Sequence, residues 1–175
     1  FHLATTPGDR DSWSGEVLID GLDRPDLKVA RLQLEGAGRI GRTAAGNSFG
    51  GTLTGRASGI LPTDPALAEA VGSEITGSLR MHFLEGSGAL SLTDIRFDGA
   101  GLAGNGALKI EGLDDAFLTS GRIAVDAADF ARFSGLAGRK LGGSGRLEIT
   151  GSASRLSGFF DADLVFAGTG LSLAV

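Results

Sequence analysis

The 175-residue sequence has no cysteine and no tyrosine, a single tryptophan, a single methionine, two histidines and four prolines. Without cysteine there is no disulfide, no thiolate metal site and no thiol nucleophile, and thiols say nothing of the redox compartment. With only His2 and His82 available, and no strand-to-helix nucleophile elbow, a Ser-His-Asp triad has no spacing to support it. The absence of tyrosine and the single tryptophan argue against a membrane-embedded barrel, which needs aromatic girdles at both interfaces. No run approaches the roughly 18 consecutive apolar residues of a helical span, and the opening FHLATTPGDRD lacks a basic start followed by an apolar stretch. The start on Phe1 and the apolar end Leu171–Val175 read as a piece of a longer protein whose targeting signals lie elsewhere. Positive charge is also scarce. Sixteen Lys and Arg are scattered against 21 Asp and Glu, for a net charge of −5, which leaves no electrostatic footprint for nucleic acid.

What is abundant is glycine, 30 residues, together with 42% hydrophobic residues and no collagen period, the composition of a folded chain. Gly99-x-Gly101-x-x-Gly104 has the spacing of a dinucleotide-binding turn, and Gly36-x-Gly38-x-x-Gly41 repeats it. That chemistry needs a helix N-terminus to hold the pyrophosphate, and no helical pattern follows either match. At this glycine frequency roughly one accidental match is expected over about 170 windows. No nucleotide and no cofactor are expected.

The dominant signal is alternation with period two. Leu79, Met81 and Phe83 alternate with Arg80 and His82; Leu90 and Leu92 with Ser91 and Thr93; Leu108 and Ile110 with Lys109 and Glu111; Ile123 and Val125 flank polar or small neighbours; Leu147 and Ile149 alternate with Arg146, Glu148 and Thr150. Similar stretches run over Glu16 to Asp20, Leu27 to Leu34 and Asp161 to Phe166, the last containing Leu164 and Phe166. Asp20-Gly21, Glu35-Gly36, Glu85-Gly86, Asp98-Gly99, Asn105-Gly106 and Glu111-Gly112 read as hairpin turns, and about ten to twelve strands fit between them. Two segments are helical: Pro65 to Val71, capped by Asp64 and stopped at Gly72, and Ala127 to Phe133, with Asp126 before it, Phe130 and Phe133 at i and i+3, and stops at Gly135 and Gly138. Strands led by Gly77 and Gly145 follow them, so the chain reads as two irregular copies of a helix-then-meander module. Glycine within strands permits sharp bending, which predicts a strongly curled sheet.

The stretches LPTDPALAEAVGSEITGSLRM (61–81), LSLTDIRFDGAGLAGNGALKIEGL (90–113) and DAADFARFSGLAGRKLGGSGRLEITGS (126–152) resemble the middle repeats of the TamB family, the inner-membrane subunit of the translocation and assembly module in Gram-negative bacteria, within the wider AsmA-like group. The resemblance covers about Leu61 to Leu164. It implies an all-β protein with two short helices, a curled, antiparallel-rich sheet forming an open apolar groove like a folded taco. Residues 1–175 would be one periplasmic β-repeat segment, with 1–63 as leading strands, 64–125 as a first repeat and 126–175 as a second. The implied role is outer-membrane biogenesis, by phospholipid transport between membranes or assembly of outer-membrane proteins. The implied partners are phospholipid acyl chains and a TamA-like outer-membrane barrel protein, the latter met through regions outside this segment. The implied location is the periplasm, within a protein anchored in the inner membrane by a part not included here.

Read from residues alone, the alternating apolar positions suit either the core of a sandwich or the wall of an open trough; composition favours the sandwich, the resemblance the trough. In the trough reading the lining is Leu79, Met81, Phe83, Leu90, Leu92, Leu108, Ile110, Ile123, Val125, Leu147, Ile149, Leu164 and Phe166. No residue is expected to be catalytic or to hold a metal. His82 falls on the polar side of its strand, Asp114-Asp115 and Asp161-x-Asp163 read as solvated acidic residues beside turns, and Trp13 as a packing residue. A secreted adhesin or polysaccharide-binding module is the alternative.

Overall fold

Residues that alternate apolar and polar over ten or more positions are satisfied by an extended chain, which sends successive side chains to opposite faces. The computed structural model of the protein describes residues 2–4, 10–43, 46–113, 117–154 and 156–174. Its strands are β1 (His2–Ala4), β2 (Arg10–Asp23), β3 (Leu27–Thr43), β4 (Gly46–Pro62), β5 (Glu74–Leu84), β6 (Ala89–Gly99), β7 (Leu102–Glu111), β8 (Leu118–Ala127), β9 (Lys140–Ser154) and β10 (Phe159–Ala174). They form one ten-stranded sheet in chain order, every neighbour antiparallel. The sheet is curled and open, with β1 and β10 at its edges.

Several of the expected turns lie inside strands. Glu35-Gly36 is mid-β3 and Asn105-Gly106 is mid-β7, where Gly106 pairs with Ile95 on one side and Ile123 on the other. Asx-Gly and Glu-Gly pairs mark turns when glycine supplies a left-handed backbone, but here glycine serves close approach: a Cβ on Gly106 would lie 2.6 Å from the Arg122 carbonyl oxygen. The β6–β7 hairpin turns two residues later than Asp98-Gly99, on Ala100 and Gly101, both with positive φ (54° and 77°), as in a type I′ turn. Glu85-Gly86 and Glu111-Gly112 do sit at turns. The β2–β3 turn is Pro25-Asp26, closed by reciprocal hydrogen bonds between Arg24 and Leu27.

Asp20-Gly21, also inside β2, belongs to a crease. Gly21 and Gly59 have φ of 72° and 64°, and they flank Ala30 on the two neighbouring strands, so β2, β3 and β4 bend along one line. A side chain at Gly59 would meet the Ala30 methyl as well as the unfavourable φ.

The first helix, α1 (Pro65–Val71), follows its expected bounds; the Asp64 carboxylate accepts hydrogen bonds from the Ala66 and Leu67 amides. The second begins later than expected. Asp126 and Ala127 finish β8, Asp129 caps a 3-10 turn at Phe130–Phe133 and α2 (Ser134–Ala137) ends at Gly138, with Gly135 inside it. Asp126 and Ala127 are instead taken up in the sheet, paired with Ala103 and Leu102 on β7 and with Arg146 and Gly145 on β9, and the Asp126 carboxylate lies 2.6 Å from Arg146. The strands after the helices start at Glu74 and Lys140, ahead of Gly77 and Gly145. Both helical insertions leave the same end of the sheet, and Arg132 ties them together by donating to the carbonyls of Glu69 in α1 and Ala100 in the β6–β7 turn.

The core is thin. Among the described residues the buried hydrophobic side chains are Trp13, Val29, Ala70, Ala124 and Ala127. The accessible surface is 11196 Å² for 17.7 kDa, against about 8000 Å² for a compact monomer of that mass. Among the described residues no second sheet covers either face.

Candidate functional site

Paired residues of adjacent strands project to the same side, so the register maps each face. One row runs Trp13, Gly38, Gly51, Met81, Leu92, Leu108, Gly121, Gly151, Ala162. The row beside it carries Ile40, Phe49, Phe83, Leu90, Ile110 and Phe160. On the other side lie Leu53, Leu79, Ile95, Ile123, Ile149 and Leu164, and then Val17, Leu34, Phe97, Val125, Leu147 and Phe166. All thirteen residues proposed from the alternation therefore stand on one face, from β5 to β10. The same face extends over β2 to β4 through residues the alternation did not single out.

Ile95 and Phe97 were missed because the period breaks before them. Leu92 and Ile95 are three apart, which would put them on opposite faces of a regular strand. A bulge at Thr93-Asp94, with Asp94 at φ 50° and its carboxylate 3.3 Å from Arg80, absorbs the extra residue and returns Ile95 to the apolar side.

This face is not a closed core. Leu164 and Phe166 are 64% and 54% exposed, Ile149 is 37% exposed, and the other ten of the thirteen are half-buried by one another. At one end Phe130 covers part of it, with its ring 6.1 Å from Phe166. At the other, the Trp13 indole lies on Gly36, Gly38 and Gly51, stacks on Phe49 at 5.0 Å and donates to the Gly50 carbonyl at 3.2 Å. The absent side chains of Gly121 and Gly151 leave a cleft of about 220 Å³ between Ile123 and Ile149 on one side and Phe160 on the other. With strands about 4.8 Å apart, the apolar face is about 40 Å long from β2 to β10.

The opposite face is polar. Its centre is an ion-pair chain in which Glu148 meets Arg122 and also Arg146 (3.0 Å), and Arg146 reaches Asp126 (2.6 Å); Ala124, between Arg122 and Asp126 on β8, is buried. Hydrogen bonds from Arg146 and then Arg122 hold the Glu148 carboxyl below its usual value, and the bonds of Arg146 to Glu148 and then Asp126 raise Arg146. A depressed carboxyl stabilises the fold above its ordinary value near 4.3 and loses that contribution as pH falls through the folded value. Wild-type stability should therefore decline more between about pH 5 and 3 than that of Glu148→Gln, measured by denaturant midpoints across that range. The contribution is small because the pairs are solvent-facing. A wider cleft of about 1050 Å³, bordered by Thr76, Ser78, Arg96, Asn105 and Arg122, opens on this side. A strongly twisted sheet is a saddle, concave on each face along a different diagonal, so curling does not enclose the apolar face alone.

The glycine motif of residues 99–104 spans the β6–β7 hairpin, and the one at 36–41 lies within β3; neither opens a helix. His82 is exposed opposite Gly50 and Ser91 on the polar face, and Asp161 and Asp163 are exposed there on β10. Asp114-Asp115 lies outside the described residues. Among the described residues no three His, Asp or Glu side chains gather where they could hold a metal ion, and no helix is long and apolar enough to cross a membrane. Set beside known proteins, the chain matches no family model, no curated protein and no solved structure.

Proposed function

We propose that the chain is a segment of a periplasmic groove protein whose apolar face carries phospholipid acyl chains between membranes in support of outer-membrane biogenesis, as its resemblance to the TamB family implies. The observation that supports this most is the apolar face from β2 to β10, which no second sheet covers among the described residues. Each methylene moved from water onto such a surface gains roughly 0.8 kcal/mol. Because that contact is non-directional, a chain can slide from row to row without meeting a specific lock. A surface of this kind works by burial and needs no catalytic group, nucleotide or cofactor. Handing cargo to a TamA-like outer-membrane barrel protein, or assisting assembly of outer-membrane proteins, would fall to regions outside this segment.

The reading is tested with a photo-reactive amino acid at Ile110 or Leu147 on the apolar face and at Lys109 or Glu148 behind them. Expressed in cells within the full-length protein, the first pair should capture phospholipid and the second far less. Equal capture from both faces would falsify the conduit. A second reading, a polysaccharide-binding module, is favoured by the wide Ser-, Thr-, Asn- and Arg-bordered cleft on the polar face. Native mass spectrometry separates the two, since a conduit retains lipid and a glycan binder does not.

A further inference from the structure

The apolar rows described above contain no Lys or Arg, but the register adds one cation at their end. Arg42 follows Ile40 by two residues on β3 and pairs with Asn47 on β4, so it continues the apolar side one step beyond the row of Ile40 and Phe49. This is the end of the sheet away from the two helical insertions. Arg42 and Asn47 are both exposed, and among the described residues the Arg42 guanidinium has no ion-pair or hydrogen-bond partner. Ser48 pairs with Leu84, which brings Glu85 beside Asn47, and the Glu85 carboxylate accepts a hydrogen bond from the Asn47 amide at 3.1 Å. Arg42 and Glu85 thus flank Asn47 from the strands on either side, with backbones about 10 Å apart. Asp11, opposite Ile40 on β2, is a second carboxylate at this corner.

We propose that this corner seats the headgroup of a zwitterionic aminophospholipid, with the phosphate on Arg42 and Asn47, the ammonium on Glu85 and Asp11, and the acyl chains running along β3 and β4 over the apolar rows. The inference rests on the conduit reading and names the class of lipid that the groove selects. Charge carries it. A guanidinium offers a phosphate two hydrogen bonds in a fixed fork. A headgroup of net negative charge would come to a corner that already holds two carboxylates against one guanidinium, whereas a headgroup that also carries an ammonium relieves that excess. Length agrees. From the corner the apolar rows continue through Phe49, Trp13, Leu53 and Leu34, about 20 Å along the strands from first to last. The acyl region of one leaflet is about 15 Å deep, half of a hydrocarbon core of about 30 Å. A chain that starts at Arg42 and lies along the strands therefore ends within the apolar rows.

The test incubates the 175-residue chain with vesicles of equal parts phosphatidylethanolamine and phosphatidylglycerol, recovers it, and identifies the retained lipid by mass spectrometry. Wild type should hold the ethanolamine lipid over the glycerol lipid by about two- to fivefold, the range for a solvent-facing ion pair. Glu85→Lys should erase or reverse that preference. Arg42→Glu should lower retention of both lipids, while Arg39→Glu, exposed on the polar face opposite Gly50, should change neither. Should Glu85→Lys fail to fold, Glu85→Gln, which keeps an acceptor for the Asn47 amide, decides the preference. A photo-reactive group at the methyl end of the ethanolamine lipid's acyl chain should label Leu53 more than Phe49. Equal retention of the two lipids by wild type, a preference unmoved at Glu85, equal effects of Arg42→Glu and Arg39→Glu, or stronger labelling of Phe49 would each overturn the seat and leave the conduit standing. Retention of no lipid at all would overturn both.

Discussion

Replacing Trp13 by alanine should lower stability by about 3 kcal/mol or more, the range for deleting a large buried aromatic side chain. That is a large share of the roughly 5–15 kcal/mol available to an ordinary domain. In most proteins of this length one aromatic is one of many. Here the buried hydrophobics are otherwise a valine and three alanines, so the indole is the largest buried side chain among the described residues. Its place is fixed from both sides: Phe49 stacks on it, the Gly50 carbonyl accepts its N–H, and Gly36, Gly38 and Gly51 lie beneath the ring. Trp13→Phe keeps part of the stack and should lose less. Gly51→Val should be as damaging as Trp13→Ala, because its Cβ would lie 2.6 Å from Cζ2 of the indole. Urea unfolding of the three variants is the measurement. A loss below about 1 kcal/mol for Trp13→Ala would show that the β2–β4 end of the sheet is held by something other than this contact.

Leu147→Asp should abolish lipid retention while the module remains folded. In the free protein Leu147 is half-buried on an open face, so a carboxylate there keeps much of its hydration. Once an acyl chain lies across the row from Val125 through Leu147 to Phe166, that carboxylate must be desolvated with no cation beside it, which costs several kcal/mol and weakens binding by a hundredfold or more. The change acts on the loaded state more than on the empty one. Retained phospholipid by native mass spectrometry, read together with the thermal midpoint, separates these effects. Loss of lipid with a midpoint lowered by only a few degrees is the expected result. A folded Leu147→Asp protein that retains lipid normally would assign the apolar face to another purpose.

The strands and their inward sides were legible because hydrophobic alternation is a local property. Leu147 and Ile149 share a face in any extended chain, whatever lies across from them. The first helix was legible for the same reason, since Asp64, Pro65 and Gly72 act on their own turn of backbone. Glycine was not. The same Xaa-Gly pair is a turn at Glu85-Gly86, a crease at Asp20-Gly21 and a flat strand position at Asn105-Gly106. The choice depends on which neighbour needs the space or the bend. The Asp94 bulge and the late start of the second helix were hidden likewise: one answers to the register of β7, the other to the pairing of Asp126 and Ala127 with β7 and β9.

The sequence by itself determined that the chain is strand-built, which positions along each strand are apolar, and that it has no cysteine for thiol chemistry. Each of these follows from residue type and period alone. Only the tertiary structure decided that the apolar rows of β2 to β10 merge into one face, that the sheet stays open between β1 and β10, and that among the described residues no second sheet covers that face. Alternation fixes which way a side chain points relative to its own backbone. What lies opposite it depends on register, bulges and creases between segments far apart in the chain.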